Sequence, residues 1–347
     1  MTDEIFFAPE VSTRGSEPQT AEQLTDRAFV FDALALPYVL DEPYTEQCLA
    51  AGINAANVTL TGEDGWDTTQ RRLESMLSCI SRRSDLKLAT ASEDLETAEH
   101  GQKLAVVLGT QGSAFVEDQL WRIDSVWRLG LRFMGLAYTP ANLLADGCGE
   151  PRNAGLSLLG QEFVQAVNER PLMLDLSHTG HASQAEAALL ARAPCCTHSN
   201  AFSVNPNDRN TRDEVFTTIA EKGGVVGICC LPRTVRTESP NVTDLVDHCD
   251  HMTKLAGDQG VGLGLDFQQG DQERGEQMPV SKRWRTLRPD IFGTVDDYYR
   301  QSYPAGIETV GKLSNITREF LRRGYSHKMI LGILGNNWRR FLRQAIG

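Results

Sequence analysis

Residues 174–180 read LDLSHTG, residues 195–201 read CCTHSNA and residues 205–210 read NPNDRN. Two apolar runs therefore end in a histidine, His178 and His198, and an Arg209-Asn210 pair follows them. An apolar strand with a histidine at its C-terminal end is how an α/β barrel presents metal ligands or acid–base groups at its active face. The partners that such histidines need are absent elsewhere in the chain, so half of a site is present and half is missing.

Outward from this stretch, short apolar runs alternate with amphipathic ones. Strand candidates are 28–36 (AFVFDALAL), 52–60 (GINAANVTL), 104–111 (LAVVLGTQ), 130–138 (GLRFMGLAY), 172–178 (LMLDLSH), 194–198 (PCCTH), 224–230 (GVVGICC) and 260–267 (GVGLGLDF). Continuous apolar runs of this length suit strands buried on both faces. Helical patterns fall between most of them, at 159–168, 182–191, 213–222 and 243–256. Eight strands with helical crossovers predict a TIM-like (β/α)8 barrel with C-terminal helices, a doubly wound open sheet being the rival. Residues 1–27 read as an N-terminal extension and 28–347 as one barrel domain. The polar segment 268–302, rich in Arg, Trp and Tyr, reads as a long lid loop over the mouth. The tail from 306 to 341 reads as two helices broken at Arg323-Gly324-Tyr325. The Gly260–Gly264 run has G-x-G spacing, but no helix follows closely enough for a dinucleotide fingerprint.

Bulk composition sets limits. The 347 residues, 41% hydrophobic and 23% charged, suffice for a large core. The net charge of -12, from 34 basic against 46 acidic side chains, argues against nucleic-acid or anionic-membrane partners. The first thirty residues lack a basic start followed by an apolar segment, and no stretch reaches the length of a membrane span, so a cytoplasmic protein is expected. The eight cysteines include the neighbours Cys195-Cys196 and Cys229-Cys230 and show no zinc spacing; all are expected to be reduced.

Polar residues at strand ends are Asp32, Gln111, Tyr138, His178, His198 and Asp266, which a barrel would bring to one face. His181, His248, His251 and His327 read instead as satisfied core or surface side chains.

Over nearly its whole length the sequence resembles the renal (membrane) dipeptidase family of binuclear zinc peptidases. The matching stretches are LGLRFMGLAYTPAN, EPRNAGLSLLGQEFVQAVNERPLMLDLSH, APCCTHSNA with DRN, EKGGVVGI, DHCDHMTKLAGDQGVGLGLDF and YPAGIETVGKLSNITREFLRRGYS, ending in GNNWRRF. The resemblance implies a TIM-like barrel and a homodimer. It places the family's two zinc-binding histidines on His178 and His198. Its strand-eight aspartate falls on Asp266 and its substrate-carboxylate arginine on Arg209.

The departures are as informative. The family's first strand ends in D-G-H-x-D, and here residues 32–36 read DALAL, so two ligands become Leu34 and Leu36. The bridging glutamate becomes Gln111 and a substrate-contacting histidine becomes Tyr138. Two zinc ions bring four positive charges, of which the family's site offsets three with carboxylates. Only Asp266 remains here, and uncompensated charge in a low-dielectric mouth would prevent binding. A site without metal is expected, the alternative being one zinc on His178 and His198, completed by Gln111, Asp266 or water.

The expected activity is metal-independent acid–base chemistry: elimination, isomerisation or cyclisation of a small amino-acid- or peptide-derived substrate, by analogy an intermediate of natural-product biosynthesis. His178, His198, Asp266 and Tyr138 are the candidate catalytic groups; Arg209, Gln111, Asn210, Leu34 and Leu36 are the candidate substrate contacts. A mononuclear zinc dipeptidase and a non-catalytic small-molecule-binding barrel are the other readings. Leu34 and Leu36 predict a preference for a substrate with an apolar portion.

Overall fold

The computed structural model describes residues 20–268, 279–300 and 303–347. Among these residues nine strands run in chain order as β1 (Val30–Ala35), β2 (Ile53–Thr59), β3 (Leu86–Leu88), β4 (Leu104–Gly109), β5 (Leu131–Gly135), β6 (Met173–Asp175), β7 (Pro194–Cys195), β8 (Val226–Ile228) and β9 (Val261–Leu263). All their pairings are parallel. The order β7-β6-β5-β4-β2-β1-β9-β8 is joined into a ring by a parallel bridge between Cys196 and Val226. The ring holds eight strands, and β3 lies beside β4 outside it. The chain is a (β/α)8 barrel, as the apolar runs predict, and not an open sheet.

Each run forms its strand because both faces are covered. On β2, β4 and β5 alternate side chains Ala55, Ala105, Val107 and Phe133 point into the barrel, while Ala56, Val106, Leu108 and Met134 join the cluster between strands and helices. The barrel floor is closed from below by the Asn337–Ile346 helix. Its Trp338, Phe341 and Leu342 pack with Phe29, Phe31 and Phe133, and Trp338 Nε1 donates to the Leu263 carbonyl at 2.9 Å.

The helical patterns appear at Leu158–Asn168, His181–Leu190, Asp213–Glu221 and Val242–Ala256. The break at Arg323-Gly324-Tyr325 separates the Ser314–Arg322 and His327–Leu331 helices, with Gly324 at φ +82°. The Ala21–Asp26 helix packs on Ser314–Arg322, where the Thr25 and Thr317 hydroxyls meet at 2.7 Å. Where the sequence reading gives a loop from 268 to 302, residues 279–300 instead carry three short helices, Pro279–Leu287, Pro289–Phe292 and Val295–Arg300. The rest of that segment, 269–278 and 301–302, lies outside the described residues. No helix among the described residues is long and apolar enough to cross a membrane. All eight cysteines are free.

Two glycines shape the mouth. A Cβ on Gly227 or Gly264 would sit 2.1 or 1.9 Å from the carbonyl oxygen of Thr197. Only glycine lets β8 and β9 approach the end of β7 so closely. That approach places Thr197 and His198 deep in the barrel.

Candidate active site at the mouth of the barrel

His178 and His198 follow the C-terminal ends of β6 and β7 and are buried. Their Nε2 atoms stand 3.1 Å apart, at hydrogen-bonding distance. The Tyr138 ring lies against His178, with centroids 4.2 Å apart. His178 adopts φ +66° and Asp266 φ +52°, a left-handed conformation uncommon outside glycine. Such geometry persists where surrounding contacts hold it and clusters at functional sites. The His178 carbonyl accepts from Cys148 N–H at 2.6 Å. Tyr303 donates from its hydroxyl to the Asp266 carbonyl at 3.1 Å, and Asp266 N–H donates to Leu34 O at 3.2 Å.

Arg209 reaches the same place from the loop after β7. It is buried, and its Nη2 donates to the His198 carbonyl at 2.9 Å. Its Nε and Nη1 are buried without a hydrogen-bond partner. Burial, with the Arg209 guanidinium second, pushes both imidazoles well below the ordinary histidine range, so they are neutral at pH 7. Burial pushes the Asp266 carboxyl up to about 7, opposed by Arg209 and by the Cys229 thiol, whose Sγ lies 3.9 Å from Asp266 Oδ2. Burial and then Asp266 push the Tyr138 phenol up as well.

The other candidates divide. Gln111 is buried, with Nε2 donating to Thr59 Oγ1 at 3.1 Å. Leu34 is buried but belongs to none of the three apolar clusters, whereas Leu36 packs in the strand–helix core. Asn210 spends its amide N–H groups on the carbonyls of Asn205 (2.9 Å) and Thr234 (2.8 Å), holding the loop that carries Arg209. Asp32 does not join the others at the mouth. It shares a small cavity with Tyr38, Val39 and Cys48, and its Oδ1 accepts from Leu34 N–H at 3.1 Å and Leu265 N–H at 2.8 Å. Its neighbours Phe31 and Ala33 point into the barrel, so alternation along β1 turns Asp32 outward; grouping it with the strand-end residues overlooks that alternation.

Sequence reasoning missed several residues. Thr197 and Asp175 form a hydrogen-bonded pair behind His198. Trp284, Ile291 and Phe292 pack with Cys148, Cys229 and Leu231 as an apolar cap. Arg288 ties this cap to the barrel loops through Gly149 O (2.9 Å) and Asp208 Oδ2 (2.8 Å). Beside Tyr138 opens a cleft of about 650 Å³ lined by Gly62, Glu63, Glu117, Asn142 and Arg283 among others. The one signal available in the sequence was the aromatic and basic content of 279–292.

The profile of the membrane dipeptidase family (peptidase family M19) matches residues 40–286, and the chain belongs to that family. Dipeptidase verJ of Clonostachys rogersoniana is 28% identical over 78% of this chain and 63% of its own length. Dipeptidase aclJ of Aspergillus oryzae is 28% identical over 69% of this chain and 51% of its own. The chain thus spans between about half and two-thirds of these curated relatives. An amidohydrolase of Pseudomonas aeruginosa superposes with a TM-score of 0.83 at 26% identity, covering 95% of this chain and all of that one. The probable dipeptidase PvdM of the same organism superposes with a TM-score of 0.78 at 19% identity, over 94% and 97%, a likeness of fold.

The family's zinc pair can be tested against the donors present. Among the described residues no group of three or more His, Cys, Asp or Glu side chains is placed to hold a metal ion. Leucine stands at positions 34 and 36, and the amide of Gln111 offers no charge. The cation of Arg209 sits among the same groups. The residues do not fit two zinc ions.

Proposed function

We propose that this barrel performs acid–base chemistry, of the elimination, isomerisation or cyclisation kind, on a small amino-acid- or peptide-derived carboxylate without a dinuclear zinc centre. The observation that carries this reading is the donor set: two neutral imidazoles in contact with each other, and no third ionisable ligand beside them among the described residues. In this reading Arg209 receives the substrate carboxylate, because its buried Nε–H and Nη1–H groups have no partner and a carboxylate accepts from both. A neutral imidazole then takes a proton, and Asp266 or Tyr138 donates to the developing charge. A role in small-molecule biosynthesis and a homodimeric, cytoplasmic state belong to the same proposal.

The test is a panel of dipeptides and N-acyl amino acids incubated with the protein in D2O and read by mass spectrometry. Zinc content is measured alongside, before and after chelation. The reading expects deuterium incorporation that survives chelation and is lost in H178N. Two zinc ions per chain with chelator-sensitive dipeptide cleavage would overturn it.

One observation favours a second reading. Two ligands of one tetrahedral zinc, each about 2.0–2.1 Å from it, stand about 3.3 Å apart, close to the 3.1 Å between the two Nε2 atoms. A mononuclear zinc hydrolase would bind through this edge, and one zinc per chain in the same measurement identifies it.

A further inference from the structure

We infer that Asp175 and Thr197 form a positioning pair that fixes His198 as the Nδ1–H tautomer and so sets the direction of the hydrogen bond between the two histidines. Asp175 is buried at the end of β6. Its Oδ1 accepts from Ser177 N–H at 3.0 Å and Thr197 N–H at 2.9 Å. Its Oδ2 meets Thr197 Oγ1 at 2.6 Å, a length typical of a hydroxyl donating to a carboxylate. A threonine hydroxyl has one proton, and here it is given to Asp175. Toward His198 Nδ1, 2.8 Å away, Thr197 can therefore only accept. His198 Nδ1 carries the hydrogen and its Nε2 presents a lone pair.

The consequence passes to His178. With His198 Nε2 accepting across 3.1 Å, neutral His178 donates from Nε2–H. Its Nδ1 is then a bare lone pair, and that atom is buried without a partner. The chain of bonds thus leaves one open basic nitrogen, His178 Nδ1, beside the Tyr138 ring. Asp175 and Thr197 act through His198, to whose Nδ1 side they connect. The His198 part stands on hydrogen bonds alone, while the His178 part rests on the metal-free reading proposed above.

The experiment uses the full chain labelled with 15N-histidine, with two-bond 15N–1H correlation spectra that distinguish neutral tautomers. The two rings are assigned from H178N and H198N. The expected result is Nδ1–H for His198 and Nε2–H for His178. T197V, nearly isosteric, should release His198 into a mixture, and T197S should restore the single form. D175N should reverse the chain: its amide donates to Thr197, whose hydroxyl then points at His198 and selects Nε2–H. If D175N does not fold, the contrast between T197V and T197S decides. T197V should also lower deuterium incorporation roughly 10- to 100-fold, with T197S close to wild type. An Nε2–H form of His198 in the wild type, or tautomers unchanged in T197V, would overturn the inference. Added zinc chloride separates the two claims. A zinc ion bound through both Nε2 atoms would convert His178 to Nδ1–H and leave His198 as it was, sinking the metal-free reading and sparing the positioning pair.

Discussion

Arg209 donates one N–H to the carbonyl of His198 and keeps two further nitrogens buried and unpartnered, so the residue that caps one strand end carries an unsatisfied cation. Buried unpaired charge is destabilising, and a charge-assisted bond to a ligand is worth roughly 1.5–3 kcal/mol. R209M is therefore expected to be more thermally stable than wild type by about 1–3 kcal/mol while failing to bind carboxylates. Thermal shift measured with and without glycylglycine checks both halves. A variant that is less stable, or still shifted by the dipeptide, contradicts the assignment.

Restoring the missing donors gives the converse experiment. L34H/L36D/Q111E returns one imidazole and two carboxylates to the family's ligand positions, and zinc uptake should appear only in this combined variant. Leu36 is buried in the main core, so the new aspartate should lower stability by about 3 kcal/mol or more without metal and zinc should recover it. Zinc per chain by elemental analysis, with melting curves in zinc and in chelator, reads the outcome.

Acid sensitivity should come in part from a histidine outside the site. His248 is buried; its Nδ1 accepts from Ala201 N–H at 3.1 Å and its Nε2–H donates to Val235 O at 2.8 Å. Burial, opposed by the Val235 carbonyl, pushes it from 6.5 down to about 4. A base held neutral in the fold contributes fully above its unfolded value. That contribution is lost as pH falls from 6.5 toward 4, because the unfolded chain takes up the proton first. The loss from this residue is roughly 3 kcal/mol. Urea melts from pH 7 to pH 4 should show a shallower decline in H248N than in wild type, although H248N starts lower.

The barrel floor is a large single contribution. Trp338 is fully buried against Phe31, Phe133 and Phe341, and W338A should cost about 3–5 kcal/mol. Tm and the urea midpoint are the measurements. An effect below about 1 kcal/mol would mean that the helix is not the plug its packing describes.

Much of the architecture could be read from residues alone because its signals are local. Each of the eight barrel strands lies in a largely apolar run, and His178 and His198 stand where such runs end. β3 was not legible: Leu86–Leu88 is three residues long with a lysine at its centre, too short for any period. The cap over the mouth reads as a loop because its segment is polar, although Trp284 and Arg285 are buried. The Asp175–Thr197 pair was invisible for another reason. It joins two strands 22 residues apart, and nothing in either segment names its partner. Asp32 groups with the mouth residues only while its position near a strand end is weighed and the inward-facing Phe31 and Ala33 beside it are not.

The helix beneath the barrel has a kinetic consequence. Residues 337–346 supply the floor that covers Phe29, Phe31 and Phe133, yet ribosomes deliver them more than two hundred residues after those phenylalanines. Until they emerge, the nascent cylinder exposes aromatic rings at its underside. Translation must run past Trp338 before the protein can seal itself, and ribosome-stalled chains ending short of that tryptophan should bind chaperones that the released polypeptide does not.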